Sequence, residues 1–466
     1  MNKLSLSSKN RSILQFVSCI SESGIITAVY ILLWKFFYED KHFAENFISG
    51  NFILPVIFLT TLIIIFRASK ACAYGSVKSI NIAIGQFVSV VSVNFVFYIL
   101  LCLIANSLIS PLAILINFAV DMLIAIISVL FFAMLNKKIN PRINIALIYG
   151  KKNGVSIKLK LDALKNEYNI TKLISADTDI NSIKEIIKNY DAVMLNDLKG
   201  QKRNDILKYC YKIKKPVYVI PKVTDILIRT AREYNVTDTP ILFIDKGGLT
   251  SMQRLVKRIM DICLTVPALV AVSPLMLVIA LAIKAEDGGP VFYKQKRATL
   301  NEKEFEILKF RSMIVDAEKG GHSIPATGLD PRITKTGRII RPLRLDELPQ
   351  LINILKGDMS IVGPRPERLE HVYKYSEEVP EFAYRLNVKG GLTGYAQVYG
   401  KYNTSHYDKL RLDLIYIQNY SLLLDIKLIL LTVPILFSKE STEGFEVTEE
   451  IEKLLQQTID SEQNND

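Results

Sequence analysis

The sequence predicts a membrane protein with an N-terminal four-helix transmembrane bundle, an α/β Rossmann-like domain and a C-terminal α+β domain that carries a further membrane helix. Half of the 466 residues are hydrophobic, and the mean hydropathy of +0.23 is high for a water-soluble chain. Most of the long apolar runs lie before residue 136, a further one lies near residues 262–283, and short apolar runs alternate with charged stretches between them. We therefore divide the chain into a transmembrane bundle (1–140), a Rossmann-like domain (141–248), an α+β domain (249–438) containing an apolar helix (262–284), and a polar tail (439–466).

Four apolar runs in the first part approach the length of about 20 residues that a helix needs to cross a bilayer. They cover residues 12–37, 51–67, 80–105 and 108–135, and the second is short. Basic residues precede the first run and follow the second and fourth, whereas the first loop carries Glu39, Asp40 and Glu45. The positive-inside rule therefore predicts that both ends of the bundle face the cytoplasm.

Residues 141–248 alternate between predicted strands and predicted amphipathic helices. The strands are expected at 144–149, 170–174, 191–195, 216–220 and 241–244, and the helices at 156–166, 180–190, 202–214 and 223–234. This alternation predicts a doubly wound parallel sheet. The first turn, Gly150 to Gly154, does not match the dinucleotide-binding pattern GxGxxG. We therefore expect a regulatory or purely structural domain.

The apolar run at 263–283 has basic residues at both ends and Ser273-Pro274 at its centre. Proline removes a hydrogen-bond donor and bends a helix. A re-entrant helix that turns at Pro274 fits these features, and so does a fifth span that tolerates a proline. The apolar stretch at 421–437 is interrupted by charged residues, which favours a helix lying in the membrane interface.

An adjacent acid pair, Asp346 and Glu347, lies at the start of a predicted helix, where carboxylates are favoured. Two neighbouring carboxylates repel each other, so they need a counter-charge. Arg341, Arg344 or a divalent cation could supply it. The alternative is an acid pair on a solvated helix face.

Two further basic motifs flank this pair. Arg365 stands between two prolines in the turn at 357–367, which holds its guanidinium ready for bidentate contact with phosphate. Lys309 and Arg311 end an alternating stretch that predicts a strand, and they would share one face. The plainer interpretations are a proline-rich surface turn and a solvent-exposed strand face.

Composition narrows the class of function. The five cysteines form no CxxC pair and the four histidines are scattered, which argues against a disulfide framework and a zinc site. The net charge of +12 suits anionic lipid headgroups and a phosphate-bearing substrate. The basic residues form no single block, so we expect no nucleic-acid partner.

Taken together, these segments resemble one family, the bacterial polyprenyl-phosphate sugar-1-phosphate transferases of the monotopic type. The resemblance covers about residues 252–437. Its motifs lie at 257–261, 273–274, 289–295, 309–313, 344–350, 360–367 and 392–398. The four predicted spans and the degenerate Rossmann-like domain are similar to the long members of the family.

The resemblance implies an enzyme of the bacterial inner membrane whose monotopic catalytic domain faces the cytoplasm, with a re-entrant helix broken at Ser273 and Pro274. It would transfer sugar-1-phosphate from a UDP-sugar to polyprenyl (undecaprenyl) phosphate and release UMP, as the first membrane step of exopolysaccharide, capsule or O-antigen synthesis. Asp346 would be the nucleophile that forms a covalent phosphosugar, and Glu347 with Asp346 would hold Mg²⁺. The side chains expected at the substrate phosphates or nucleotide are Lys309, Arg311, Arg341, Arg344, Arg365, Glu367 and Gln397.

The sequence departs from the family pattern at two places. Lys389-Gly390-Gly391 stands where the family often has Lys-Pro-Gly, and Ala298-Thr299 stands where it usually has Val-Gly. Two other functions are alternatives: a membrane-anchored nucleotide-sugar dehydratase or epimerase, and a non-catalytic scaffold or sensor for polysaccharide export. The transferred sugar and a homodimeric state stay open.

Overall fold

The computed structural model describes residues 3–38, 50–77, 79–140, 143–150, 157–158, 168–234, 238–244, 247–315, 330–400 and 404–436. The acids expected in the first loop, most of the helix expected at 156–166 and the tail from residue 439 lie outside the described residues. The chain forms two compact units, which divide between Ile220 and Pro221.

The first unit begins with four apolar helices, in agreement with the four predicted runs. They are α1 (Lys3–Tyr38), α2 (Gly50–Ala68), α3 (Ser79–Ala105) and α4 (Leu112–Ile139). Three of these, α1, α3 and α4, are long and apolar enough to cross a membrane, whereas the apolar part of α2 is shorter. Their core contains stacked aromatic rings, with the centroids of Tyr30 and Phe58 4.3 Å apart. These helices fit a membrane protein.

A four-stranded parallel sheet with the order β2-β1-β3-β4 completes the first unit. Helices α5 and α6 pack their apolar side chains against one face of it. The other face is also buried. The bounds in chain order are β1 (Ile143–Tyr149), β2 (Tyr168–Ser175), α5 (Ile180–Lys188), β3 (Ala192–Asn196), α6 (Gly200–Lys212) and β4 (Val217–Val219).

The prediction that residues 241–244 form a fifth strand of this sheet is wrong. Strand β6 (Ile241–Phe243) pairs antiparallel with β5 (Arg232–Tyr234) in a hairpin of the second unit. The helix expected at 223–234 is shorter, α7 (Val223–Arg229), and its final part is strand β5. The reason is packing, because Val223 and Ile226 are buried in the core of the second unit.

The second unit contains one long apolar helix, α8 (Ser251–Asp287). Thr250 caps its first turn, since its hydroxyl accepts a hydrogen bond from the Gln253 backbone N–H at 3.2 Å. The helix continues through Pro267 and Pro274 and ends at Gly288 in a left-handed conformation. By length and composition α8 could also cross a membrane. The turn-back expected at Ser273 and Pro274 therefore stays a prediction.

Short strands and helices form the rest of this unit. Strands β7 and β8 pair antiparallel, and β9 and β10 pair parallel. The bounds are β7 (Phe292–Ala298), β8 (Glu304–Phe310), α9 (Lys335–Ile340), α10 (Gln350–Lys356), β9 (Ser360–Val362), α11 (Leu369–Glu378), β10 (Gly391–Thr393), α12 (Tyr395–Tyr399), α13 (His406–Gln418) and α14 (Leu422–Leu436).

Candidate active site

The acid pair lies in a single 3₁₀ turn, Leu345–Glu347, between α9 and α10. Arg344 precedes the turn with φ 53°, in the left-handed region that side-chain-bearing residues avoid. Such a conformation costs about 1–3 kcal/mol and often marks a functional site. Leu345 and Leu348 anchor the turn by packing against a core that includes Phe310. The turn thus holds Asp346 and Glu347 on a fixed backbone.

Glu347 contacts two cationic side chains, one from strand β8 and one from the turn that follows β9. Its Oε1 lies 2.8 Å from the Lys309 Nζ at the end of β8 and 3.2 Å from the Arg365 Nη2. Burial opposes ionisation of Glu347, but Arg365 and Lys309 outweigh it and hold the pKa well below its usual range. Glu347 is therefore an ionised side chain that joins three predicted motifs.

Asp346 has a different environment from its neighbour. Burial raises its pKa to about 6; Lys309 and Arg341 oppose the rise, and the charge of Glu347 adds to it. The structure records no ion pair of Asp346 with any other described residue. At neutral pH Asp346 is mostly ionised, and it takes up a proton as the pH falls through 6.

The side chains of Arg341 and Arg344 act on the pair through their charge, and the Arg344 carbonyl also accepts a hydrogen bond from the Glu347 N–H at 3.2 Å. Arg341 lowers the pKa of Asp346, although less than burial raises it. Arg344 helps to lower the pKa of Glu347, behind the larger effects of Arg365 and Lys309. The structure thus brings together Lys309, Arg341, Arg344 and Arg365 around the two carboxylates.

Arg311 has a carboxylate partner of its own, Asp287. It forms an ion pair with Asp287 at the end of α8, and its side chain is buried. A side chain at Gly289 would overlap the Arg311 guanidinium, since an added Cβ would lie 2.1 Å from Nη1. The Arg311 Nε and Nη1 have no hydrogen-bond partner among the described residues. The expected phosphate role of Arg311 is still a prediction.

Glu367 interacts with Arg365 through charge, whereas Gln397 has no recorded contact with the acid pair among the described residues. Glu367 Oε1 is 3.7 Å from the Arg385 Nη1, and Arg385 Nη2 is 2.7 Å from the Asp413 Oδ2. Arg385 Nη2 also donates to the Arg365 carbonyl at 3.0 Å, so this buried network fixes the turn that carries Arg365. The Gln397 amide donates to the Leu392 carbonyl at 3.2 Å.

Arg385 and Asp413 were missed by sequence reasoning. Each is nearly inaccessible to solvent, at 2% and 1% exposure. Burial raises the pKa of Asp413 to about 6, and Arg385 opposes that rise. A lone arginine and a lone aspartate 28 positions apart have no spacing that marks them as partners.

Asn353 on α10 ties the acid pair to the strand that carries Lys309. Its Nδ2 donates to the Glu306 carbonyl at 2.8 Å, and its Oδ1 accepts from the Leu308 N–H at 2.9 Å. These two bonds satisfy a backbone carbonyl and a backbone N–H on the edge of β8, and they hold β8 against α10. Asn353 therefore sets the separation between Lys309 and Glu347.

Helix α8 holds the same elements from the other side. Arg258 donates to the carbonyls of Ile354 and Leu355, both at 2.6 Å, at the end of α10. Asp261 Oδ1 accepts from the Ser360 hydroxyl and the Ile361 N–H, both at 3.0 Å. These motif residues of α8 thus position α10 and β9.

The two departures from the family pattern contact each other. The Gly390 N–H donates to the Thr299 hydroxyl at 3.3 Å, and this hydroxyl donates to the Asp358 carbonyl at 3.0 Å. A proline at 390 would have no N–H to donate. The Thr299 hydroxyl therefore holds, by a hydrogen bond, the turn that glycine at position 390 makes less rigid.

The acid pair also fits a magnesium ion by its chemistry. Mg²⁺ is usually held by one or two carboxylates together with substrate phosphates. Asp346 and Glu347 supply two carboxylates, although Glu347 Oε1 already contacts Lys309 and Arg365. Among the described residues, no group of three or more acidic, histidine or cysteine side chains could hold a metal alone. Substrate oxygens would have to complete the coordination.

Comparison with known proteins gives consistent matches over this unit. A family model described as bacterial sugar transferase matches residues 252–439. A UDP-glucose:undecaprenyl-phosphate glucose-1-phosphate transferase from Caulobacter vibrioides is 42% identical over 190 residues, which cover 40% of this chain and 71% of that protein. A UDP-N-acetylgalactosamine-undecaprenyl-phosphate N-acetylgalactosaminephosphotransferase from Aeromonas hydrophila is 38% identical over 253 residues, which cover 52% of this chain and 58% of the relative.

A third relative, a UDP-glucose:undecaprenyl-phosphate glucose-1-phosphate transferase from Escherichia coli, is 39% identical over 222 residues, or 47% of this chain and 48% of the relative. The chain thus matches only about half the length of the Aeromonas and Escherichia relatives. Fold and site together define a membrane protein whose mixed α/β unit carries an acid pair among basic side chains. The chain belongs to the bacterial sugar transferase family, which confirms the resemblance read from the motifs.

Proposed function

We propose that this chain transfers sugar-1-phosphate from a UDP-sugar to undecaprenyl phosphate and releases UMP. The reaction would be the first membrane step of exopolysaccharide, capsule or O-antigen synthesis, on the cytoplasmic face of the bacterial inner membrane. One observation carries the proposal. Asp346 and Glu347 share one turn, and Lys309 and Arg365 both form ion pairs with Glu347.

This asymmetry supports Asp346 as the nucleophile. Glu347 Oε1 is engaged by two cations, which lowers its reactivity, whereas Asp346 keeps a carboxylate with a raised pKa. An Asp346 oxygen would attack the sugar-bearing phosphorus of the UDP-sugar, and the bridging P–O bond would break to release UMP. An oxygen of the lipid phosphate would then attack the same phosphorus and release the Asp346 carboxylate.

The basic side chains would bind and orient the two anionic substrates. Lys309, Arg341, Arg344 and Arg365 surround the pair with positive charge, which attracts phosphates and raises their local concentration. Glu347 would keep Lys309 and Arg365 in place and share a magnesium ion with Asp346. When bound, Mg²⁺ supplies neutralisation of the diphosphate charge.

The packing of α8 supports the re-entrant topology. Near its start Lys257 pairs with Asp425 and Asp261 bonds to β9, and near its end Ile283 packs against Phe310. Both ends therefore contact the same unit. A helix that crossed the bilayer would carry its ends to opposite sides. We propose that α8 enters and leaves on the cytoplasmic face.

Cysteine labelling of intact cells tests this topology. Met252→Cys and Ala285→Cys, each in a Cys263→Ser background, should both resist an impermeant thiol reagent added outside. Labelling at one position alone would mean that α8 spans the membrane.

We also propose that the parallel sheet of the first unit is a Rossmann-like domain with a structural or regulatory role. The order β2-β1-β3-β4 matches part of the flavodoxin-like doubly wound order. Gly150 lies after β1, where a Cβ would approach the Asp197 carbonyl oxygen to 2.0 Å. Close backbone packing thus accounts for this glycine without a bound phosphate.

A substrate panel tests the proposed activity. Membranes containing the chain would be incubated with undecaprenyl phosphate and labelled UDP-glucose, UDP-galactose or UDP-N-acetylhexosamines. We expect lipid-linked label from at least one sugar, and none from Asp346→Asn. Lipid labelling that survives in Asp346→Asn, or its absence with every sugar, would contradict the proposal. A keto-sugar formed with added NAD would instead indicate a dehydratase.

A further inference from the structure

Two carboxyl side chains are buried in the helical bundle of the first unit, and the proposed reaction uses neither of them. Glu22 on α1 is 1% exposed, and Asp121 on α4 is 0% exposed. A charged group inside a membrane bundle is costly and is normally paired or functional. The hydrogen-bond partners of both acids are amides and a hydroxyl, and neither acid pairs with a lysine or arginine among the described residues.

The first centre surrounds Glu22. Its Oε2 accepts from the Gln86 Nε2 of α3 at 2.8 Å and from the Ser128 hydroxyl of α4 at 2.7 Å. Its other oxygen, Oε1, is buried with no hydrogen-bond partner, and so is the Gln86 Oε1. The nearest other titratable groups are Tyr74 and the thiols of Cys19 and Cys72.

The second centre surrounds Asp121 and repeats this arrangement. Its Oδ2 accepts from the Asn94 Nδ2 of α3 at 2.9 Å and from the Asn117 Nδ2 at 2.8 Å. The Asp121 Oδ1 and the Asn117 Oδ1 are buried without a partner. Tyr30 and Asn117 also line a cavity of about 10 Å³, which is close to the size of one water.

The two centres contact the same face of helix α4. Ser128 and Asp121 are seven residues apart on α4, which is two helical turns or about 10 Å. Each centre therefore combines a carboxyl oxygen and an amide oxygen that both lack a donor. Four buried acceptors without donors would be costly if both acids were ionised.

One bound proton at each centre removes this cost. It neutralises the carboxylate and turns the carboxyl oxygen that lacks a donor into an O–H donor, which leaves one amide oxygen at each centre as the acceptor to be matched. A metal ion fits less well, because ions such as Ca²⁺ and Mg²⁺ take about six or more oxygen ligands. Each centre offers only two free oxygens among the described residues. We propose that the bundle is a two-site proton-binding module, in which Glu22 and Asp121 are each held as the neutral acid.

Infrared spectroscopy tests this directly, because a neutral carboxyl and an ionised carboxylate have separate C=O stretching bands. The full chain would be purified in an ester-free detergent and measured at pH 7, where Asp346 and Asp413, each with a pKa of about 6, are mostly ionised. We expect a neutral-acid band with two components. Glu22→Gln should remove one and Asp121→Asn the other, while Glu306→Gln on the exposed side of β8 should remove neither.

Thermal unfolding provides the second measurement. Gln and Asn resemble the neutral acids in shape, so each variant should unfold within about 3 °C of the parent. Sodium chloride and choline chloride at equal ionic strength should give the same Tm. A parent spectrum without a neutral-acid band would overturn the proposal even if a variant fails to fold. So would a band that both variants keep, or a sodium-specific rise in Tm that both variants abolish.

Discussion

The two units bury acidic side chains in opposite ways. In the second unit, Glu347 pairs with Lys309 and Arg365, Asp413 with Arg385, and Asp425 with Lys257. In the bundle, Glu22 and Asp121 meet amides and a hydroxyl. The contrast is between paired ions and acids without a counter-charge.

The difference follows from what surrounds each unit. A site that handles anionic substrates needs fixed positive charge, and buried acids hold those cations in place. A bundle of apolar helices surrounded by lipid gains nothing from a separated ion pair, and a neutral acid satisfies its geometry at lower cost. Substitutions that remove a buried charge should therefore be severe in the second unit and mild in the bundle.

The largest loss of stability is expected at the buried pair of Lys257 and Asp425. Tyr416 donates to the Asp425 Oδ1 at 2.8 Å, so the pair links α8, α13 and α14. Lys257→Met leaves the Asp425 charge uncompensated and should cost about 3–5 kcal/mol of unfolding free energy. Denaturant unfolding measures this.

The matched control is the exposed pair of Lys294 and Glu306, whose side chains are 60% and 56% exposed. Lys294→Met should cost under about 1 kcal/mol. Equal losses of unfolding free energy for the two variants would show that the buried Asp425 does not depend on its counter-charge, which would contradict the account given for the second unit.

The next effect is on activity. Glu347→Gln should lower kcat/KM by about 10²–10³-fold, because Lys309 and Arg365 lose the charge that orients them. Excess Mg²⁺ should restore part of the rate if the side chain also serves the metal. Glu306→Gln on the neighbouring strand should stay within about twofold of the parent, since it forms only an exposed pair. A Glu347→Gln variant with the kcat/KM of the parent would show that the Glu347 charge is not needed for the reaction.

The pH dependence separates the two acids of the turn. The pKa of Asp346 is raised to about 6 and that of Glu347 is depressed, so Asp346 takes up a proton first as the pH falls. Loss of the ionised nucleophile should lower kcat/KM about tenfold per pH unit below 6. A profile that stays flat from pH 7 to 5 would show that Asp346 acts in another form.

The smallest effect is expected at the turn that departs from the family pattern. Thr299→Val removes the hydroxyl that contacts both Gly390 and Asp358 and should cost about 1–2 kcal/mol. Thr299→Ser keeps the hydroxyl and should recover most of that loss. Thermal unfolding of the two variants checks this, and equal Tm values for them would show that the hydroxyl contributes nothing.

Much of the fold could be predicted because its signals are local. Long apolar runs gave the four helices of the bundle, and alternating runs gave β1 to β4 within about two residues. The hairpin of β5 and β6 was missed because a short apolar run does not specify its partner. Val223 and Ile226 settle that choice by packing into the second unit.

The candidate site shows the same limit. Asp346, Glu347 and Arg365 stood out because each belongs to a compact motif with turn-forming residues. Arg385 and Asp413 carry no such pattern, and their partnership exists only once α13 has packed. Arg311 illustrates the converse, since its motif position did not reveal its pairing with Asp287.

The proposed mechanism depends on a covalent phosphosugar on Asp346, and a single turnover without lipid acceptor tests for this intermediate most directly. Purified enzyme, Mg²⁺ and the active UDP-sugar would be mixed and quenched, with UMP quantified and the peptide holding Asp346 analysed by mass spectrometry. The covalent route predicts up to about one equivalent of UMP and a sugar-phosphate adduct on Asp346. An enzyme that is active with acceptor, yet releases no UMP and carries no adduct without it, would show direct transfer with Asp346 as a general base.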